Sequence, residues 1–181
     1  MEILQYPDHR LRKRAKPVEH FDDQTAIIAQ NMAETMYQRK GIGLAGPQVN
    51  LHRRIIVMDI SEDRDELICL INPEILTAEN PQAGDEGCLS IPGVYEPVIR
   101  PHDITVKARD TQGEHLEMQA QGLLAVCIQH EIDHLDGKLF IDRLSSMKRE
   151  RLHKKWEKLR TQTPDPEPPK RAGKSNAEAW Y

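Results

Sequence analysis

Leu123-Leu124-Ala125-Val126-Cys127-Ile128-Gln129-His130-Glu131-Ile132-Asp133-His134 is the stretch on which the fold of this chain turns. His130 and His134 stand four residues apart, about one helical turn, so a helix puts both imidazoles on one face. The residues from Leu123 to Ile128 are apolar all round such a helix, which marks it as buried. Two histidines and a glutamate are costly in an apolar interior unless they are paired. A shared metal ion would satisfy both imidazoles, and Glu131 between them could then reach a water on that ion as a general base. The plainer alternative is a pair of hydrogen-bonded core histidines. The helix should run from about Gly122 to Leu135, with Asp136-Gly137 ending it.

Outward from this helix, residues 104–109 and 115–119 alternate apolar and polar, and 110–113 join them as a hairpin turn. Residues 54–60 and 67–71 read as β-branched strands separated by a charged turn at 61–66. Asn72-Pro73 should break the second of these, with a third strand over 74–78. Residues 21–40 suit an amphipathic helix capped by Asp22 or Asp23 and stopped by Gly41. Its stripe would be Ile27, Ile28, Met32, Thr35 and Met36. Ser145 or Ser146 can cap a last helix to about Arg160, with Leu152, Trp156 and Leu159 as its apolar stripe. The expected class is α+β: mainly antiparallel sheet packed around the buried metal-binding helix, with one helix N-terminal and one C-terminal.

The 181 residues suit one domain, taken as 1–160, followed by a proline-rich, irregular tail over 161–181. The net charge of −4 gives no general signal for nucleic-acid binding. No apolar signal core opens the chain and no stretch is long enough to span a membrane, so the cytoplasm is the expected compartment. Three cysteines do not make a disulfide framework.

A catalytic metal of this kind takes three protein ligands and leaves one position open. The third ligand must come from outside the helix pair. Cys88, in Glu86-Gly87-Cys88-Leu89-Ser90, is a candidate, since a metal holds a coordinating cysteine as the thiolate. His102, His115 and Asp133 compete with it, whereas Cys69 and Cys127 sit mid-element as small buried hydrophobes. A second segment, Gly41-Ile42-Gly43-Leu44-Ala45-Gly46-Pro47-Gln48, permits close backbone approach by a ligand and ends on an amide that can donate to a carbonyl. It lacks the Gly-Lys-Ser/Thr ending of a phosphate loop.

Taken together, Gly41 to Gln48, Glu86 to Ser90 and Gln129 to His134 resemble the motifs of peptide deformylase, of the bacterial type 1 kind, in order and spacing. The likeness runs from about residue 1 to 160. It departs from the family at Gly46, where alanine is usual; glycine there should loosen the loop slightly. The resemblance implies that Cys88, His130 and His134 bind the metal and that Glu131 is the acid/base residue. It also implies that Gln48 and the Leu89 N–H hold the developing oxyanion. The metal would be Fe²⁺, one per chain, with Zn²⁺ or Ni²⁺ as substitutes. The substrate would be the N-formylmethionyl nascent peptide, lying as an added strand along Gly41-Ile42-Gly43, with its methionine among Ile42, Val126 and Cys127. Formate is the product. A Glu86–Arg100 salt bridge is implied as a brace for the Cys88 loop, outside catalysis.

Two rivals share the helix motif. A zinc endopeptidase usually draws its third ligand from a downstream Glu or His, yet no histidine follows His134 until His153. A structural metal module needs a fourth ligand, for which only Asp133 is near, on another helix face. The last helix carries seven Lys/Arg against two Glu over 146–160, either a solvated face or, as the resemblance implies, a docking surface for the ribosome. A monomer is the expected state.

Overall fold

The computed structural model describes residues 1–162. Of the irregular tail expected from residue 161, Thr161 and Gln162 instead end the last helix, and the remainder lies outside the described residues.

Helix α1 (Asp23–Gln38) starts where Asp22 accepts the Thr25 N–H at 2.9 Å. A cap of this type contributes about 1 kcal/mol. Its buried face is Thr25, Ala29, Met32, Ala33, Thr35 and Met36. The expected stripe misplaced Ile27, which is 52% exposed. Ile27 lies two residues from Ala29, about 200° round the helix, and the small Ala29 and Ala33 are what bring α1 against the sheet. The stop also comes earlier than Gly41: Lys40 takes the left-handed turn, φ 57°, and the Gly41 N–H donates to Met36.

Five antiparallel strands follow in simple order: β1 (Gly43–Ala45), β2 (Ile55–Met58), β3 (Ile68–Glu86), β4 (Glu96–Arg109) and β5 (His115–Gln121). Strand β3 corrects the expected break. Asn72-Pro73 is a bulge, with a register shift between Ile71 and Glu74, and the strand continues for 19 residues in all. A proline without an N–H is tolerated at a bulge, and Asn72, at φ 52°, is held there by two 2.8 Å hydrogen bonds to the Val18 backbone. The long β3–β4 hairpin carries Glu86 and the residues after it back to the buried helix.

Helix α2 (Gly122–Leu135) has the expected bounds and packs on β1, β2, β4 and β5. Ala125, Cys127, Ile128 and Leu135 join Ile56, Met58, Leu70 and Val106 in one cluster. Fully burying one such aliphatic side chain contributes about 1.5–3 kcal/mol. Helix α3 (Ser146–Gln162) begins beside Ser145, whose Oγ accepts the Lys148 N–H at 3.4 Å. Leu152 and Trp156 are buried, and Tyr6 meets Trp156 edge-on at 5.3 Å. The side chain of Leu159, the third expected stripe residue, lies outside those described. Among the described residues no helix is long and apolar enough to cross a membrane.

Candidate metal centre and active site

The β3–β4 hairpin and α2 bring Cys88, His130 and His134 together. Their ligand atoms all lie within 4.8 Å of one another, and Cys88 Sγ is 3.2 Å from His134 Nε2. All three residues are buried. The other candidate ligands are elsewhere: His102 faces Asp103, His115 is exposed at the start of β5, and Asp133 is taken by two arginines. Hydrogen bonding leaves His134 half satisfied: its Nε2 meets only the weakly bonding Cys88 Sγ, and its Nδ1 is buried with no hydrogen-bond partner among the described residues. A soft sulfur and two imidazoles fit a transition metal such as iron or zinc.

His130 is oriented by a group that motif reading treated only as a brace. Its Nδ1–H donates to Glu86 Oε2 at 2.8 Å, which leaves Nε2 for coordination. Glu86 in turn accepts from both Arg100 Nε and Arg100 Nη2, the latter at 2.9 Å. Arg100 Nη1 reaches Asp133 at 2.8 Å, and Arg143 closes on the same carboxylate with a fork at 2.7 and 2.8 Å. The Glu86–Arg100 pair thus does more than brace the Cys88 loop: it is the middle of a charge-alternating chain from the surface to His130. The Phe140 ring stacks on His130 at 6.0 Å.

These contacts set the protonation states. Burial pushes Glu86 up, but hydrogen bonds from His130 and Arg100 outweigh it and bring its carboxyl down to about 2. Asp133 is lowered in the same way, burial being overcome by Arg143 and Arg100. The two imidazoles diverge. Burial lowers His130, yet Cys88 and Glu86 raise it, while burial and the neighbouring His130 lower His134; a metal on His130 Nε2 would take the place of the proton that these neighbours favour there.

Gln48 sits in the short turn after β1. Its Oε1 accepts the Ala45 N–H at 2.7 Å, so Nε2 faces Cys88 Sγ at 3.5 Å and Ser90 Oγ at 3.3 Å. Ser90, which the motif reading left without a role, also donates its N–H to Cys88 Sγ at 3.4 Å. Glu131 is 1% exposed, on the side of α2 that faces β1. A Cβ at Gly43 would collide with Glu131 Oε1 and stand 2.8 Å from Cys127 Sγ, so only glycine lets β1 approach the helix this closely. Leu89 packs its side chain over Gly41, joining the two loops. Ile42 and Val126 are half-buried and Cys127 is buried, its Sγ 3.7 Å from Ile42 O.

Gly46 overturns the expectation of a looser loop. It is buried, and a Cβ there would lie 2.6 Å from both Leu51 O and Arg53 O. The backbone of the following turn occupies the space a methyl group would need.

The profile of the family described as polypeptide deformylase matches residues 1–150. The chain belongs to that family. A peptide deformylase 1 of Pseudomonas syringae pv. tomato is 56% identical over 160 residues, covering 87% of this chain and 95% of the relative. A peptide deformylase of Stutzerimonas stutzeri is 55% identical over 164 residues, 90% of this chain and 97% of the relative. The crystal structure of a peptide deformylase from Legionella pneumophila superposes with a TM-score of 0.86 at 47% identity, covering 91% of this chain and 98% of that one. Deformylases are metal-dependent hydrolases acting on formylated nascent peptides, and the endopeptidase alternative finds no support among these relatives.

Proposed function

We propose that Cys88, His130 and His134 hold one metal ion per chain, that Glu131 is the acid/base residue, and that Gln48 and the Leu89 N–H receive the developing charge. The reaction is hydrolysis of the N-formyl group of N-formylmethionyl nascent peptides. The observation that carries this reading is the convergence of one buried sulfur and two buried imidazoles beside a buried glutamate. When bound, the metal supplies Lewis acidity toward water and the formyl oxygen. Fe²⁺ is the proposed native ion, with Zn²⁺ or Ni²⁺ able to replace it, because thiolate and imidazole suit all three.

Glu131 takes one proton from the attacking water. The formyl carbon gains that oxygen, the C–N bond breaks, and Glu131 returns the proton to the departing nitrogen. The products are formate and a free methionine amine. Gln48 Nε2, fixed by the Ala45 N–H on its other end, donates to the formyl oxygen as charge builds there. The peptide runs extended along Gly41, Ile42 and Gly43, at the edge of the sheet where β1, among the described residues, pairs only with β2. Ile42, Val126 and Cys127 receive the methionine side chain. The catalytic unit is monomeric and cytoplasmic, and basic α3 docks it on the ribosome near the emerging chain.

Formate release from formyl-methionyl peptides, set beside cleavage of internal peptide bonds, tests the reading. The expected result is formate and no internal cleavage. Glu131→Ala should keep its metal by elemental analysis while turnover falls about 10²–10⁴-fold. An active variant would remove Glu131 from the mechanism.

A further inference from the structure

The basic helix α3 is not the only cationic surface. Between His9 and Lys16 the chain carries Arg10, Arg12, Lys13, Arg14 and Lys16 with no acidic residue, in a protein whose net charge is −4. The segment is pinned to the fold by its two apolar residues, Leu11 and Ala15, which are buried, so its cations stand outward. A bridge from Lys16 to Arg53 extends it across the 51–54 turn. Burial lowers His52, and Lys13 and Arg10 lower it further, which places those two cations beside the same turn.

Asp8 holds Arg10 at 2.6 Å, and the other carboxylates within this surface are shared between cations. Asp136 serves both Arg54, at 2.8 Å, and Arg14, at 3.7 Å. Asp142 serves Arg12 and also, at 3.9 Å, Arg149 of α3. Lys13, Lys16 and Arg53 make no ion pair among the described residues, and all three are exposed. The shared Asp142 makes the segment contiguous with α3, and Tyr6 is packed on both His153 and Trp156.

We propose that residues 9–16, together with Arg53, form a second RNA-docking surface continuous with α3, gripping the phosphodiester backbone of folded RNA. This rests on the reading that α3 meets the ribosome. Guanidinium forks and unpaired ammonium groups suit phosphates. A membrane surface fits poorly, because the apolar residues of the segment point inward and none is left to insert. Residues 9–16 hold no Phe, Tyr or Trp, and the imidazole of His9 is their one ring, so the surface reads mainly backbone charge. Such contacts fall steeply with salt, the slope counting the phosphates neutralised.

The test measures binding of the full chain to purified large ribosomal subunits by fluorescence anisotropy across a potassium chloride series. Lys13→Gln, Arg14→Gln and Arg53→Gln are combined in one variant, and Lys148→Gln with Lys154→Gln in another. The first variant should bind about tenfold weaker or worse, with a shallower salt slope by about two to three. Its formate release from a short formyl peptide should be unchanged, which shows that it folds. Tight binding by the first variant, within twofold of the parent, overturns the proposal; if the α3 variant then fails to bind, the helix reading stands alone. If the first variant fails and the α3 variant binds like the parent, residues 9–16 and Arg53 bind alone, and both the helix reading and the continuous surface are overturned. A parent chain that does not bind the subunits overturns both.

Discussion

Helices α2 and α3 are of similar length and use charge in opposite ways. On α2, His130, Glu131, Asp133 and His134 are all buried, and Asp133 and His130 are tied into the chain that runs through Arg100 and Glu86. On α3 the charged side chains described, such as Lys154 and Glu150, which pair at 2.8 Å, sit on the surface. The difference teaches where charge has consequences. A buried ion left without its partner cannot be rescued by water and costs several kcal/mol, whereas an exposed pair contributes about 0–1 kcal/mol. The charges of α2 are therefore internal machinery, and the surplus on α3 matters only to something outside the protein.

The sharpest way to break this contrast is Arg100→Ala. It leaves buried Glu86 with His130 alone and Asp133 with the part-exposed Arg143 alone, and denaturant unfolding should show a loss of about 3–5 kcal/mol. A loss below 1 kcal/mol would mean that the buried chain is no more demanding than a surface pair. Next in size is Gln48→Ala, which removes a donor aimed at the ligand cluster of α2 without touching a ligand. Its kcat should fall by the equivalent of about 2.7–4 kcal/mol, with little change in KM. A pure KM effect would confine Gln48 to substrate binding.

Gly46→Ala probes the same turn sterically. The added methyl meets Leu51 O and Arg53 O, so thermal or urea unfolding should register about 1–3 kcal/mol of destabilisation. An unchanged midpoint would show that the 51–53 turn yields freely. The smallest effect belongs to α3: Lys154→Ala should alter stability by less than about 1 kcal/mol and leave formate release untouched.

The central helix was legible because three signals agreed on it: a His-Glu-x-x-His string, an apolar run before it and an Asp-Gly stop. Gly122 and Leu135 bound it as the pattern required. The third ligand was less legible from residues alone, since spacing left Cys88, His102, His115 and Asp133 in competition until the family resemblance separated them. The contact between Glu86 and His130 crosses 44 residues and depends on the register of the β3–β4 hairpin, which no local pattern encodes. Asn72-Pro73 misled for a related reason. The dipeptide reads as a break by itself, and only the tether to Val18 turns it into a bulge. At Gly46 the deciding atoms are carbonyls five and seven residues on, invisible to a motif. A trace of each was present: an acidic residue two before Cys88 and an aspartate three after His130 are charges that need partners in an apolar setting.

The most direct test of the account is metal removal, with bound metal and formate release followed on the same anaerobic sample. A chelator should strip one ion per chain and abolish formate release in proportion, far-UV circular dichroism should persist, and one equivalent of ferrous ion should restore activity. A metal-free chain that still releases formate at the parent rate, or a Cys88→Ala variant that holds its ion as tightly as the parent, would contradict it.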